Sequence, residues 1–443
     1  MKPLVLVGLL LVANDDRAVS HVLNRVAFGA RPGDVERVRA IGIDRYIDLQ
    51  LHPERIPDRR IGDGYDSVPT PSPLRRRPVP TPSPDSSPLE LAQEKVLRAV
   101  YGERQLQEVL TDFWFNHFNV DARKGPDRLM VAEYERDTIR PHVLGKFRDL
   151  LDATAKSPAM LFYLDNWLSA DPNADRVRHG SDTGPTPVGP QRPQRQRGLN
   201  ENYARELMEL HTLGVDAGYT QMDVTEVARC FTGWTIDRPR ENGPFRFAPR
   251  QHDPGRKVVL GHVIKAGGGE SDGERVLDIL ANHPSTARFI ATKLVRRFVS
   301  DTPPPPLVDR AAKRFRDTGG DLREVMRTIL TSPEFLSPDA YGAKMKTPFE
   351  FVVSALRATG ADVTDALPIA RALQQLGMPL YQCQPPTGYK DTADAWLNTG
   401  ALVERMNFAV RLATGKLPGT SLAVDQSPDD LAVRLGGPEF QRR

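Results

Sequence analysis

Four polar residues stand on one narrow stripe of the segment Asn200-Glu-Asn-Tyr-Ala-Arg-Glu-Leu-Met-Glu-Leu-His-Thr-Leu-Gly214. At about 100° of turn per residue, Asn202, Arg205, Glu206 and Glu209 share a face of the expected helix. Tyr203, Ala204, Leu207, Met208, Leu210 and His211 share the opposite, apolar one. Glu206 and Glu209 are i, i+3 neighbours, and Arg205 lies i, i+4 from Glu209. In a buried setting the like charges raise one carboxylate while the arginine keeps the other ionised. A hydrolase uses that pairing as general acid and general base. On an open surface the same residues are a solvated face, with an ion pair worth well under ~1 kcal/mol.

Histidines on apolar stripes suggest a second chemistry. The run Glu103 to Phe118 places His117 beside Leu106, Val109, Leu110, Phe113 and Trp114 at i, i+3, i+4, i+7 spacing, with Asp112 and Asn116 on the other face. His117, His211, Asp165 and Glu206 together could supply four ligands to a divalent metal, and haem on His117 or His211 is a narrower case. Geometry opposes the full set, because Glu206 and His211 lie about 140° apart on one helix. No His-Glu-x-x-His motif supports it either. The plain alternative is a core histidine donating to a backbone carbonyl. His252-Asp253 on a loop forms a further base-and-orienter pair. A Gly-x-Ser-x-Gly elbow, a phosphate loop and a dinucleotide fingerprint are all missing from the sequence.

The elements that must position these residues read as helices. Ala18–Phe28 ends at Gly29, and Pro32-Gly33-Asp34 opens the next helix. Leu89–Tyr101, Glu103–Phe118, Arg128–Arg140 and Val143–Ala155 follow. Met160–Leu168 is an apolar run carrying Asp165 and Asn166. Capping boxes start helices at Thr220-Gln-Met-Asp223 and Thr347-Pro-Phe-Glu350. Between 274 and 413, further amphipathic segments alternate with a stiff Pro303–Pro306 joint and an aromatic loop, Tyr381–Tyr389 with Trp396. Phe245–Phe247 and Lys257–Leu260 are short β-like pieces expected to pair as one small hairpin around Gln251–Gly255. The expectation is a mainly α fold: a single large multi-helix domain over 14–415 with a small β-hairpin. Pro-rich loop insertions interrupt it at about 61–88 and 171–198, and a loose C-terminal tail covers 416–443.

Composition sets outer limits. The chain has 443 residues and a net charge of +3 from 60 basic and 57 acidic side chains, so nothing pushes it toward nucleic acid. Arginine clusters at 75–77 and 192–197 lie in the Pro-rich loops and read as solvated linker. Two cysteines, Cys230 and Cys383, exclude a disulfide-dense scaffold and a four-cysteine zinc site. Lys2, the apolar run Leu4–Ala13 and the following Asn14-Asp15-Asp16 fit a short signal peptide over 1–13, hence a periplasmic or secreted protein; the alternative is a buried first helix. The run is too short to span a membrane.

The order of these segments resembles a bacterial family catalogued as domain-of-unknown-function family 1800. The resemblance is carried by His21-Val-Leu-Asn-Arg-Val-Ala-Phe-Gly29, Phe113-Trp-Phe-Asn-His-Phe118, Tyr163-Leu-Asp-Asn166, Asn200–Gly214, Tyr219–Trp234, His252-Asp253, His283–Phe298 and Lys346-Thr-Pro-Phe-Glu350. It implies one mostly helical, commonly exported protein, often encoded beside a sulfatase-like family numbered 1501, and it implies no reaction. The short leader and the arginine-rich loops depart from the family pattern. Three readings follow: an acid–base hydrolase with its site between the Phe113–Phe118 and Asn200–Gly214 helices, a metal- or haem-dependent oxidoreductase, or a non-catalytic partner of the sulfatase-like protein. In the first, Glu206 or Glu209 is acid or base, Arg205 holds an anion, and His117 and His211 orient the site.

Overall fold

The computed structural model describes residues 16–57, 87–174, 198–422 and 427–443. The expected leader at 1–13, nearly all of the first Pro-rich insertion, most of the second, and both arginine clusters lie outside the described residues. The chain is mainly α-helical, as its periodicity predicts, and its helices pack around one hydrophobic cluster running from Ala18 to Leu435. Among the described residues no helix is long and apolar enough to cross a membrane.

Helix starts follow side-chain chemistry. Thr220 and Thr347 each accept from the backbone N–H three residues on, and Asp223 and Glu350 answer back, as the sequence predicts; Ser87 and Glu90 make a third such box. Helix Gln105–His117 buries Leu106, Leu110 and Trp114 completely. Helix Pro284–Phe298 begins with proline in its first turn, a position that needs no N–H, and buries Ala287, Ile290, Ala291, Leu294, Val295 and Phe298. Each large apolar side chain taken out of water in this way contributes about 1.5–3 kcal/mol. The segment 200–214 is helical over Glu201–Glu209, with Asn200 capping Tyr203 N. It then unwinds so that His211 N and Leu213 N reach back five residues, to Glu206 O and Met208 O. Gly214 closes it at φ +86, where a Cβ would stand 2.9 Å from the Phe289 ring.

Three expectations need correction. The two β-like pieces do not pair with each other. Trp234–Ile236 pairs with Phe245–Phe247, and Lys257–Val259 pairs with His262–Ile264 across a two-residue turn. Both turn residues, Leu260 and Gly261, have positive φ, the turn that matches strand twist, although Leu260 gives no such signal in sequence. The described part of the tail is not loose: helix Pro428–Gly436 packs on Thr399–Ala413 through Leu431 and Leu435, and Arg443 is buried. The expected helix 128–140 runs α-helical over Asp127–Glu133, then passes through a π-helical stretch, Tyr134–Ile139, where one extra residue per turn rotates Glu135 inward. The run 160–168 stops as a helix at Tyr163, because Asp165 adopts φ +59.

Buried titratable groups make the fold sensitive to pH. His21 donates through Nε2 to Phe335 O at 2.8 Å and stacks on Tyr341. Burial, with Arg25 adding to it, lowers His21 to about 3. A group whose folded pKa lies below its ordinary 6.5 contributes stability above pH 6.5 and loses it as pH falls toward 3. Asp127 has the opposite sign: burial pushes it up to about 9, and neither of its oxygens has a hydrogen-bond partner. The prediction is therefore differential. Relative to the parent, His21→Phe gains stability as pH is lowered from about 6 to 4, by about 1.4 kcal/mol per pH unit. Urea unfolding at a series of pH values measures the slope; a parallel pair of curves refutes it.

Candidate functional site

Helix Gln105–His117 keeps its apolar side inward and turns Asp112, Asn116 and the edge of His117 toward helix Pro284–Phe298. The latter presents Lys293, Arg296 and Arg297 at i, i+3, i+4 spacing, so the three cationic groups share one face. Between the two helices lies a cavity of about 330 Å³. It is lined by these six residues together with Phe113, Thr347, Met378, Thr387 and residues 389–392. A larger but shallow groove of about 500 Å³, at Val433–Phe440, gathers no comparable set of polar side chains.

Asn116 fixes the third wall. Its Nδ2 donates to Tyr389 O at 2.8 Å, and its Oδ1 accepts from Tyr389 N at 2.7 Å. Asn119 Nδ2 grips the same segment at Cys383 O and Pro385 O. The loop can come this close only because residue 388 is glycine, at φ +69; a Cβ there would stand 2.3 Å from Asn116 O.

A buried ionic network backs the cavity. Glu350, in the first turn of helix Pro348–Ala358, pairs with Arg297 at 2.8 Å and Arg443 at 3.0 Å, and its other oxygen accepts from Thr347 N. Burial acts to raise this carboxyl, but Arg297 and Arg443 overcome it and hold it at about 2. Asp391 faces Arg297, Lys344 and Arg443 at 3.4–3.9 Å. On the far side of Asp112, Lys95 is buried between Asp112 at 2.9 Å and Glu135 at 3.4 Å. Nε and Nη2 of Arg297, and Nε of Arg296, have no hydrogen-bond partner.

His117 and Lys293 form the reactive-looking pair. The Nε2–H of His117 donates to His211 O at 3.1 Å, which leaves Nδ1 as an acceptor, and Lys293 Nζ donates to it at 2.9 Å. Burial, with Lys293 and His211 adding to it, holds His117 well below its usual range. Burial also pushes Lys293 down to about 8, against a smaller opposing pull from Asp391. Among the described residues no carboxylate stands within ion-pair distance of Lys293.

The residues singled out by sequence are distributed as follows. His117 and Asn116 line the cavity. His211 packs behind His117, with ring centroids 6.2 Å apart, and burial lowers it to about 3. Arg205, Glu206 and Glu209 are part-exposed, and Asn202 is exposed; none of the four lines the cavity. Arg205 bonds to Gln221 and not to Glu209, which accepts from Tyr219. Burial, then Glu209, raises Glu206. Asp165 is exposed and pairs with Lys124 at 2.8 Å. His252 is buried against Asp272 and Lys257, while Asp253 pairs with Arg229 at 2.7 Å, so this pair braces the hairpins. Among the described residues no three His, Cys, Asp or Glu side chains converge as metal ligands, and both nitrogens of His117 are engaged. The cavity thus lies one helix away from the place the sequence suggested for a site. Sequence reasoning passed over Lys293, Arg297, Glu350 and Asp391. The available signal was the cationic i, i+3, i+4 stripe at the end of an otherwise apolar helix.

Two outcomes follow from this packing. Glu350→Gln takes the nearest carboxylate from two buried guanidiniums and lowers unfolding free energy by about 3–5 kcal/mol, while Arg288→Gln, which breaks the exposed Arg288–Asp309 pair, leaves the urea midpoint in place. Gly388→Ala forces the loop off Asn116. It lowers the thermal midpoint and raises backbone amide exchange at 387–390, read by mass spectrometry.

The family described as "Protein of unknown function (DUF1800)" matches residues 21–443, and the chain belongs to it. No curated protein and no solved structure matches.

Proposed function

We propose, on the premise of this family membership, that the cleft between helices Gln105–His117 and Pro284–Phe298 is an active site in which Lys293 performs acid–base chemistry on a small anionic substrate. The observation that carries the reading is the 2.9 Å contact of Lys293 Nζ with the acceptor nitrogen Nδ1 of His117, on the wall of a cavity that Arg296 also lines. An amine held near 8 is neutral in roughly a tenth of molecules at pH 7, close to the range where proton transfer is most effective. His117 is too weakly basic to keep the proton, so it acts as a positioning residue that aims the amine. Arg296 and Arg297 supply the planar donors that carboxylates prefer.

A second reading keeps hydrolysis at the Glu206–Glu209 stripe, supported by the raised Glu206. Export, and pairing with a sulfatase-like protein, are further proposals that rest on the family resemblance.

Competitive acylation with acetic anhydride tests the first reading. Lys293, quantified by peptide mass spectrometry, gains reactivity through an inflection near pH 8, and acetate ions slow its modification selectively. An inflection near the ordinary 10.5 of lysine, with no effect of acetate, overturns the assignment.

A further inference from the structure

We propose that the cleft takes a small monocarboxylate bearing an aldehyde or ketone carbonyl, and that Lys293 condenses with that carbonyl to form an imine; this rests on reading the cleft as the active site. Three features of the cavity support it. Lys293 and Arg296 are i, i+3 neighbours on one helix, which sets Cβ atoms about 5–6 Å from each other and suits a molecule whose carboxylate and carbonyl are close neighbours. Arg297 is only 4% exposed and is held by Glu350, Asp391 and Asp112, whereas Arg296 lines the cavity, is part-exposed and makes no ion pair among the described residues. The neutral amine of Lys293 gives one hydrogen to His117 Nδ1, and its lone pair and second hydrogen remain for a ligand.

The charges on the walls refine the choice of anion. Lys293, Arg296, Arg297 and Lys390 face Asp112 and Asp391 across the same cavity. Arg297 is matched by Glu350, Asp112 by Lys95, and Asp391 by Lys344, which leaves Lys293, Arg296 and Lys390. The remaining positive charge suits one carboxylate, while the two aspartates repel a dianion. Burial without a carboxylate partner is also how a lysine becomes an amine nucleophile.

The step balances without any redox partner. The Lys293 nitrogen lone pair attacks the carbonyl carbon and forms a C–N bond as the C=O π pair moves to oxygen. The two amine hydrogens then leave with that oxygen as water, and C=N remains. His117 holds the amine's orientation and takes no net proton.

Pyruvate is the probe. The full chain is incubated with pyruvate and sodium cyanoborohydride at pH 7.5, and the adduct is located by peptide mass mapping, with the other lysines as internal reference. The expected result is saturable trapping at Lys293, reduced on the order of tenfold in Arg296→Gln and with acetaldehyde, which lacks the carboxylate. Acetic anhydride competition in parallel reports occupancy of the cleft. If pyruvate protects Lys293 from acylation but is not trapped there, the imine is overturned while the anion-binding cleft stands. If pyruvate neither protects nor is trapped, both readings fall.

Discussion

The buried carboxylate of Glu350, held between Arg297 and Arg443, is the constraint on which the rest of the site depends. It joins three parts of the chain that are distant in sequence: helix Pro284–Phe298, helix Pro348–Ala358 and the last described residue. Ion pairs taken out of water return little net stability. Their value lies in the cost of any arrangement that leaves one member alone. Thr347 N, bonded to the same carboxylate, ties helix initiation to that arrangement. Helix Pro284–Phe298 is thereby set at one rotation about its axis, and the rotation of Arg297 determines where Lys293 points.

Two lysines show how neighbours decide chemistry. Lys95 lies between Asp112 and Glu135; burial alone would lower it, but the carboxylates win and it is raised. Lys293 meets a neutral imidazole where Lys95 meets two anions, and burial prevails. The first is a fixed structural cation and the second an amine near its titration point. Both sit within the walls and backing of a single cleft, which is therefore polarised from one end to the other.

Much of this architecture was readable from residue order. Helical periodicity, the boxes at Thr220 and Thr347 and the stop at Gly214 are local signals, and local physics decides them. The separation of the two hairpins was not readable, because Leu260 adopts a positive φ that only its surroundings can impose. The docking of Pro428–Gly436 escaped too, since two leucines one turn apart carry little weight without the facing helix. At the site, Asn116 and His117 were visible because aromatic neighbours on an apolar stripe draw attention to them. Lys293 and Arg297 were not, because a cationic stripe at a helix end usually marks solvent. Glu350 was seen only as a cap, and its second role needs residues 53 and 93 positions farther along the chain in the opposite direction from one another.

The side chain of Asn116 offers a carbonyl and an amide N–H to the carbonyl and N–H of one residue, Tyr389. It thus behaves as a detached peptide group, and the loop is stitched to the helix as a strand is stitched to a sheet edge. Both partner atoms belong to the main chain. The seam itself asks residue 389 only for a main-chain N–H and C=O, which any residue but proline supplies, provided 388 stays glycine. Variation among relatives can exchange what the loop displays to the cleft without relocating the loop, so recognition can drift while the scaffold beneath it stays in register.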